Sequence, residues 1–267
     1  MHKQELRSLI CSMLLGDGCL SYGKDPGYGR RGNPKPHDVF YAMNHSSLQQ
    51  DYAFWKAQLL DNIFIKQKVS IKCTYAISKK HDKKYNKVYY GVYVKLRWAK
   101  FFRPLREKAY WQIAEKTHLK NIEYLLDNIN LDLHTAIWFM DDGNEKRKKR
   151  KSVAGVHIGY DNPFYRLFTF GYTAGQHQLI REWFIRKYDV YPRICTQKDK
   201  PEGKNLFLAF TPSDSKKLFL VLHPYFSQTD SMKNKFWLSF ARYKPEKLET
   251  PQLEVDDIVQ TTTSKTA

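Results

Sequence analysis

The chain has no apolar run approaching the ~20 residues that a membrane-spanning helix needs. Its N-terminus, MHKQELRS, lacks the apolar core of a signal peptide. Neither membrane attachment nor export is expected. The four cysteines, Cys11, Cys19, Cys73 and Cys195, form no CxxC pair, and no histidine stands at zinc-finger spacing from them. Neither a disulfide framework nor a structural zinc is indicated, and the thiols read as buried groups in a reducing, intracellular compartment. Acidic residues are scarce as well: 27 Asp and Glu stand against 45 Lys and Arg, a net charge of +18 in 267 residues. Such an excess calls for a polyanionic partner, and with membranes set aside that partner is nucleic acid.

What the chain does contain is one stretch that occurs twice. Leu6 to Gly18, LRSLICSMLLGDG, is matched by Leu131 to Gly143, LDLHTAIWFMDDG. In the first copy Leu6, Leu9, Ile10, Met13 and Leu14 form the stripe of a core-facing helix. In the second, Leu133, Ala136, Ile137 and Met140 keep that spacing, and Trp138 and Phe139 extend the apolar surface around the helix. Both copies predict buried helices, and both end in Asp-Gly. Gly18 and Gly143 read as left-handed C-terminal stops. Asp17 and Asp142 then stand at the negative end of a helix dipole, so a positive group is expected beside each. Brought together, the two ends would offer carboxylates and unpaired carbonyls, an all-oxygen site suited to a hard cation such as magnesium. One Asp-Gly alone is an ordinary helix-to-turn junction. Two copies on matching apolar helices in a basic chain favour a site.

Strands are expected at Cys19 to Tyr22 and Val39 to Asn44, around a Gly-, Pro- and Arg-rich loop with Arg30 and Arg31 at its middle. A helix follows from Ser47 to about Ile63. From Val69 to Ser78 the odd positions Val69, Ile71, Cys73, Tyr75 and Ile77 alternate as a buried strand face. From Val88 on, Val92, Val94, Leu96 and Trp98 point one way, and Tyr89, Gly91, Tyr93, Lys95 and Arg97 form a cationic, aromatic face on the other. KKHDKKYNK between these strands reads as a basic hairpin tip, and Ala99 to about Lys116 as a helix. The second half repeats the order. EKRKKRK, residues 145–151, takes the place of the arginine-bearing loop, followed by strands at about Ser152 to Tyr160 and Phe164 to Thr173. Then come a helix at Ala174 to Tyr188, strands at Arg193 to Lys198 and Leu206 to Thr211, and a helix to about Leu222. Thr211, Pro212 and Asp214 supply the last helix with a cap, a first-turn proline and a first-turn acid. His157 and His177 read as ordinary partly buried residues. The expected division is a first repeat over residues 1–118, a linker at 119–130, a second repeat over 131–244 and a polar, disordered tail from 245 to 267.

The two motifs resemble the LAGLIDADG homing endonucleases, in the form where one chain carries both copies. The family's nine-residue signature falls on Ile10 to Gly18 and on Thr135 to Gly143, and compatible element order extends the resemblance over about residues 5 to 240. The small residues that let the family's helices pack closely appear here as Cys11, Ser12 and Gly16, but as Ala136, Ile137 and Asp141 in the second copy. The resemblance implies an α+β fold of two pseudo-symmetric αββαββα repeats, with a saddle-shaped DNA-binding sheet and the motif helices packed at its centre. It implies a monomeric endonuclease that uses Mg2+ or Mn2+ to cut both strands of a long, rare site in double-stranded DNA. Asp17 and Asp142 would be catalytic and metal-binding, the carbonyls of Gly16 and Asp141 further ligands, and Lys116 and Lys235 the family's assisting lysines. On the strands, Lys72, Lys95, Arg97, Arg193 and Gln197 are the expected DNA contacts, joined by Arg30, Arg31, Arg147 and Arg150. Met1 lies so close to the first motif helix that a free-standing or intron-encoded protein is expected rather than an intein. Two rival readings are an RNA-binding intron maturase and a non-catalytic DNA-binding regulator; the presence of both aspartates favours cleavage.

Overall fold

The computed structural model describes residues 2–22, 39–66, 68, 70–82, 87–114, 117–152, 155, 157–197, 199, 201 and 205–244. The first motif forms α1 (His2–Leu15), followed by β1 (Cys19–Tyr22) and β2 (Val39–Ser46). A 3-10 turn then leads into α2 (Gln50–Lys66), β3 (Thr74–Asp82), β4 (Lys87–Arg97) and α3 (Ala99–Ala109). Next come β5 (Tyr110–Ala114), β6 (Thr117–Lys120), α4 (Ile122–Asp127) and the second motif helix, α5 (Asp132–Asp142). The remainder is β7 (Gly143–Lys146), β8 (Lys149–Lys151), β9 (His157–Tyr160), β10 (Phe164–Leu167), α6 (Ala174–Tyr188), β11 (Arg193–Thr196), β12 (Leu206–Ala209), α7 (Pro212–Phe226), α8 (Asp230–Lys235) and α9 (Trp237–Tyr243).

Two four-stranded antiparallel sheets carry the architecture, ordered β1-β2-β4-β3 and β7-β10-β12-β11. The strand order is the same in both, counted from the strand that leaves each motif helix. Each sheet's first strand is therefore fixed to the end of α1 or α5, and those two helices pack against each other. Their apolar residues explain why. Leu6, Ile10, Met13 and Leu14 on α1 and Ala136, Ile137, Phe139 and Met140 on α5 are all solvent-free within one core drawn from both sheets. Trp138 and Phe139 reach the second half's core, where Trp138 stacks on Phe184 of α6. The cap read from the sequence is formed, the Thr211 hydroxyl accepting from the Asp214 N–H at 3.1 Å, and α6 has a cap that went unread, the Thr173 hydroxyl accepting from the Gln176 N–H at 3.2 Å.

Several expectations need correction. The helix expected over residues 99–116 ends at Ala109, and Tyr110–Ala114 instead pairs with β6 as a hairpin. Its Tyr-Trp-Gln-Ile run suits a strand better than a helix. In β3, Tyr75 and Ile77 are 45 % and 82 % exposed, against the buried face that their alternation predicts. β3 is an edge strand, and only its approach segment, at Cys73, lies in the core. The 79–87 tip is shorter than expected, because β3 and β4 stay paired out to Asp82 and Lys87. The basic run at 145–151 forms β7 and β8 rather than a loop. Its Glu145 is buried and accepts from the Leu238 N–H, the Ser239 N–H and the Ser239 hydroxyl, an anchor that a charge count hides. The stretch at 119–130 carries α4, whose Ile122, Leu125 and Leu126 are buried. Among the described residues, no helix is long and apolar enough to cross a membrane.

Candidate active site

Neither motif glycine is left-handed. Gly143 is extended, with φ −74° and ψ 155°, and Gly18 is not among the glycines of positive φ. Both are required by close approach instead. A Cβ at Gly18 would lie 2.6 Å from the Met13 carbonyl oxygen, and one at Gly143 would collide with that of Phe139. The Gly18 N–H bonds the Met13 carbonyl at 2.8 Å, turning the chain sharply from α1 into β1. Each motif aspartate is thus held at the junction of a buried helix and the first strand of a sheet.

A lysine sits on each helix end, as the dipole requires. Lys120, at the end of β6, donates to the Gly16 carbonyl at 3.1 Å. Lys235, at the end of α8, donates to the carbonyls of Met140 and Asp141. Burial pushes both ammonium groups to lower pKa, against the pull of the surrounding carboxylates. Sequence reasoning had put Lys116 in the first of these places. That residue lies outside the described residues, and Lys120, four positions on, is the lysine that reaches the helix end.

Asp142 lines a cleft of about 580 Å³ together with Gly16, Lys120, Asp141, Tyr172 and Lys235. Burial, and then the charges of Asp141 and Asp17, push its carboxyl well above the usual carboxylate range. Asp17 is more open, its side chain 42 % exposed, and burial followed by the Asp141 charge raises it too. Crowded carboxylates of raised pKa are a site short of positive charge, and their oxygen donors suit a hard divalent cation. The carbonyls of Gly16 and Asp141, expected as extra ligands, are engaged by the lysines.

The Asp141 side chain is different. It is fully buried, and both oxygens are taken: Oδ1 accepts from Lys56 Nζ and the Tyr52 hydroxyl, each at 2.8 Å, and Oδ2 from Lys56 Nζ at 3.1 Å and the Asp17 N–H at 3.2 Å. Burial opposes its charge, but the Lys56 ammonium, by charge and hydrogen bond, and the Tyr52 hydroxyl hold the carboxyl below the usual range. Lys56 is itself fully buried. Its position was legible: on α2 the buried residues Tyr52, Lys56, Leu60 and Phe64 recur every four, a lysine inside an apolar stripe. His45, from β2, places Nδ1 3.5 Å from Asp17 Oδ2 and Nε2 4.0 Å from Asp141 Oδ1. Burial and then the Lys56 charge lower its pKa to about 3, so its ring is neutral. Asp17, His45 and Asp141 form a group with metal-ligand spacing.

The expected DNA contacts scatter. Lys95 and Arg97 share the outward face of the first sheet through their pairings with Ala42 and Phe40, and Lys95 lies over the Phe40 ring. Lys72 is exposed just before β3. Arg193 is exposed on the second sheet, in register with Ala209, Arg166 and Asn144. Arg166 went unnoticed in the sequence, yet it occupies the middle of this outward row. Gln197 follows β11, its N–H bonded to the Asn205 carbonyl. Arg147 is committed to the protein, ion-paired with Glu145 at 3.0 Å and lying over the Trp237 ring. Arg150 pairs with Asp161 at 3.7 Å. Arg30 and Arg31 lie outside the described residues. His177 is an internal residue that bonds Thr169 and Thr173.

Paired buried helices that each deliver an aspartate and a lysine-bonded terminus between two sheets of one strand order define a class, the two-motif single-chain nucleases. The LAGLIDADG DNA endonuclease family model matches residues 7–218, and the chain belongs to that family; it is a site-specific endonuclease of the homing type. No curated protein sequence matches it. Its fold is similar to that of the homing endonuclease I-WcaI bound to its DNA recognition sequence, at TM-score 0.57 and 13 % identity, covering 88 % of this chain and 86 % of that one. It is also similar to a variant of I-DmoI in complex with its target DNA in the presence of manganese, at TM-score 0.50 and 12 % identity, covering 84 % and 96 %.

Proposed function

We propose that this protein makes a double-strand break in a long DNA site, with Asp17 and Asp142 each serving one strand. The observation that carries this reading is the pairing of α1 and α5, which brings two aspartates and two half-buried lysines to adjacent helix ends. Both sheets would lie along the duplex as a saddle, the halves related by a pseudo-twofold axis that matches the local dyad of DNA. Lys95, Arg97, Arg166 and Arg193 would face the major groove and the phosphates.

Asp17 and Asp142 would hold a divalent cation, Mg2+ or Mn2+, which would supply charge stabilisation at the scissile phosphate and lower the pKa of water. The chain's own groups do the rest. The α1 and α5 junctions fix the two carboxylates so that no search for geometry is needed on binding. Lys120 and Lys235 hold a proton at Nζ within the cleft, where an ammonium donates to phosphoryl oxygens as charge develops. The test is cleavage of a randomised-site plasmid library in magnesium, with the ends sequenced. A cut in both strands at one long site, absent from Asp17→Asn and Asp142→Asn, supports the reading. Salt-sensitive DNA binding with no cut would instead indicate a regulator.

A further inference from the structure

The two motifs differ at the residue just before the catalytic aspartate, Gly16 in one and Asp141 in the other, and these two residues meet. A Cβ on Gly16 would fall on the Asp141 side chain. Asp141 therefore occupies the space that Gly16 leaves empty, and from there its Oδ2 accepts the backbone N–H of Asp17. No reciprocal contact exists, because a glycine has nothing to send across to Asp142. The carboxylate that reaches over is set by the first half alone: Lys56 bonds both its oxygens, and the Tyr52 hydroxyl bonds Oδ1 while lying 3.1 Å from the Ile137 carbonyl. Neither Lys56 nor Tyr52 lines the cleft that holds Asp142.

Resting on the double-strand nuclease reading, we propose that Lys56 and Tyr52 are positioning residues for Asp17 only, acting through Asp141, so that the two strands are cut under different control. A buried ion pair with every oxygen satisfied is rigid, because moving either partner leaves an unpaired charge in the interior. Asp17, by contrast, sits in an exposed turn outside any helix, so the bond from its N–H to this fixed carboxylate limits where its own carboxylate can go. Asp142 is the last residue of α5 and takes its position from the helix and from the Asp142 carbonyl bond to the Phe168 N–H at 3.0 Å. It needs no such latch.

The experiment measures each strand separately on a supercoiled plasmid carrying the site selected by the wild-type protein, with the two strands labelled differently. Lys56→Met alone leaves Asp141 as an unpaired buried charge and is at risk of misfolding, so the main variant is Lys56→Met with Asp141→Ala, which removes both charges together. Tyr52→Phe, which deletes one hydroxyl, is the mild companion. Binding of the site in calcium is the control for folding. In the double variant, cutting of the strand that Asp17→Asn also fails to cut should fall by on the order of a hundredfold. The other strand should be cut near the wild-type rate, and nicked circle should accumulate. Tyr52→Phe should bias the same strand to a smaller degree. Equal slowing of both strands in the double variant and in Tyr52→Phe, with site binding intact, would show a merely structural role and overturn the inference. Failure of the wild-type protein to linearise any plasmid would overturn the nuclease reading, and this inference with it.

Discussion

The two motif helices end in the same dipeptide but in different surroundings. After α1, Asp17 is an open turn residue whose neighbours are a neutral histidine and the buried ion pair that Lys56 makes with Asp141, a carboxylate from the other motif. At the end of α5, Asp142 is half-buried in a cleft with Lys120 and Lys235. The backbone plan was kept in both halves, down to strand order and a lysine on each helix end. The side chains before the aspartates were not. Aspartate in both places would press two carboxylates together at the helix contact, and glycine in both would leave a void where Asp141 now packs. One large and one small residue solve the packing problem at the expense of equivalence.

Breaking that arrangement at its deepest point should have the largest effect. Lys56→Met strands Asp141 without a counter-charge and should destabilise the fold by about 3–5 kcal/mol, read as a lowered denaturation midpoint. Adding Asp141→Ala should recover part of that loss. A variant pair on the two lysines sharpens the comparison in activity. Lys120→Met and Lys235→Met should each slow cleavage by roughly 10²-fold or more, with site binding in calcium retained. Gly16→Ala forces a methyl into the Asp141 side chain and should cost about 1–3 kcal/mol. In a Gly16→Ala, Asp141→Ala double variant the clash disappears, so chemical denaturation should show the two changes to be non-additive. Asp142 to Gly143 offers no such partner.

The smallest effect concerns pH and lies at the opposite end of α5. His134 is buried and accepts from the Leu131 N–H through Nδ1, and burial and then the Lys187 charge lower its pKa to about 4. Its folded form resists protonation, so the stability it contributes is present above the ordinary histidine value near 6.5 and is lost as pH falls through about 4. Thermal unfolding at pH 7, 5 and 4 should show a steeper decline for the wild type than for His134→Gln.

Local patterns carried much of this structure. The 3.6-residue periodicity of α1 and α5, the Thr211 cap and the β1 strand follow from neighbours within a few residues, and they stand where the sequence puts them. What was misread depends on partners far away in the chain. Tyr75 and Ile77 alternate like a core strand, but they stand on the edge strand β3, where both stay exposed although Phe54 of α2 meets the Tyr75 ring. Tyr110–Ala114 continues a plausible helix until β6 is there to pair with it. Asp17 and Asp142 were legible because two copies of one motif mark them. Lys56 and His45 belong to neither copy, and their roles arise only when Asp141 crosses to the first half. Lys120 was missed because which of several lysines reaches a helix end depends on the exact length of the β5–β6 hairpin.

The most direct test of the account is strand-resolved cleavage by Asp17→Asn and Asp142→Asn, each on the selected site in magnesium. Two sites serving one strand apiece should give two nicking enzymes, each cutting the strand that the other spares. If both variants lose the same strand, or if either still linearises the plasmid at the wild-type rate, the assignment of one aspartate to each strand is wrong.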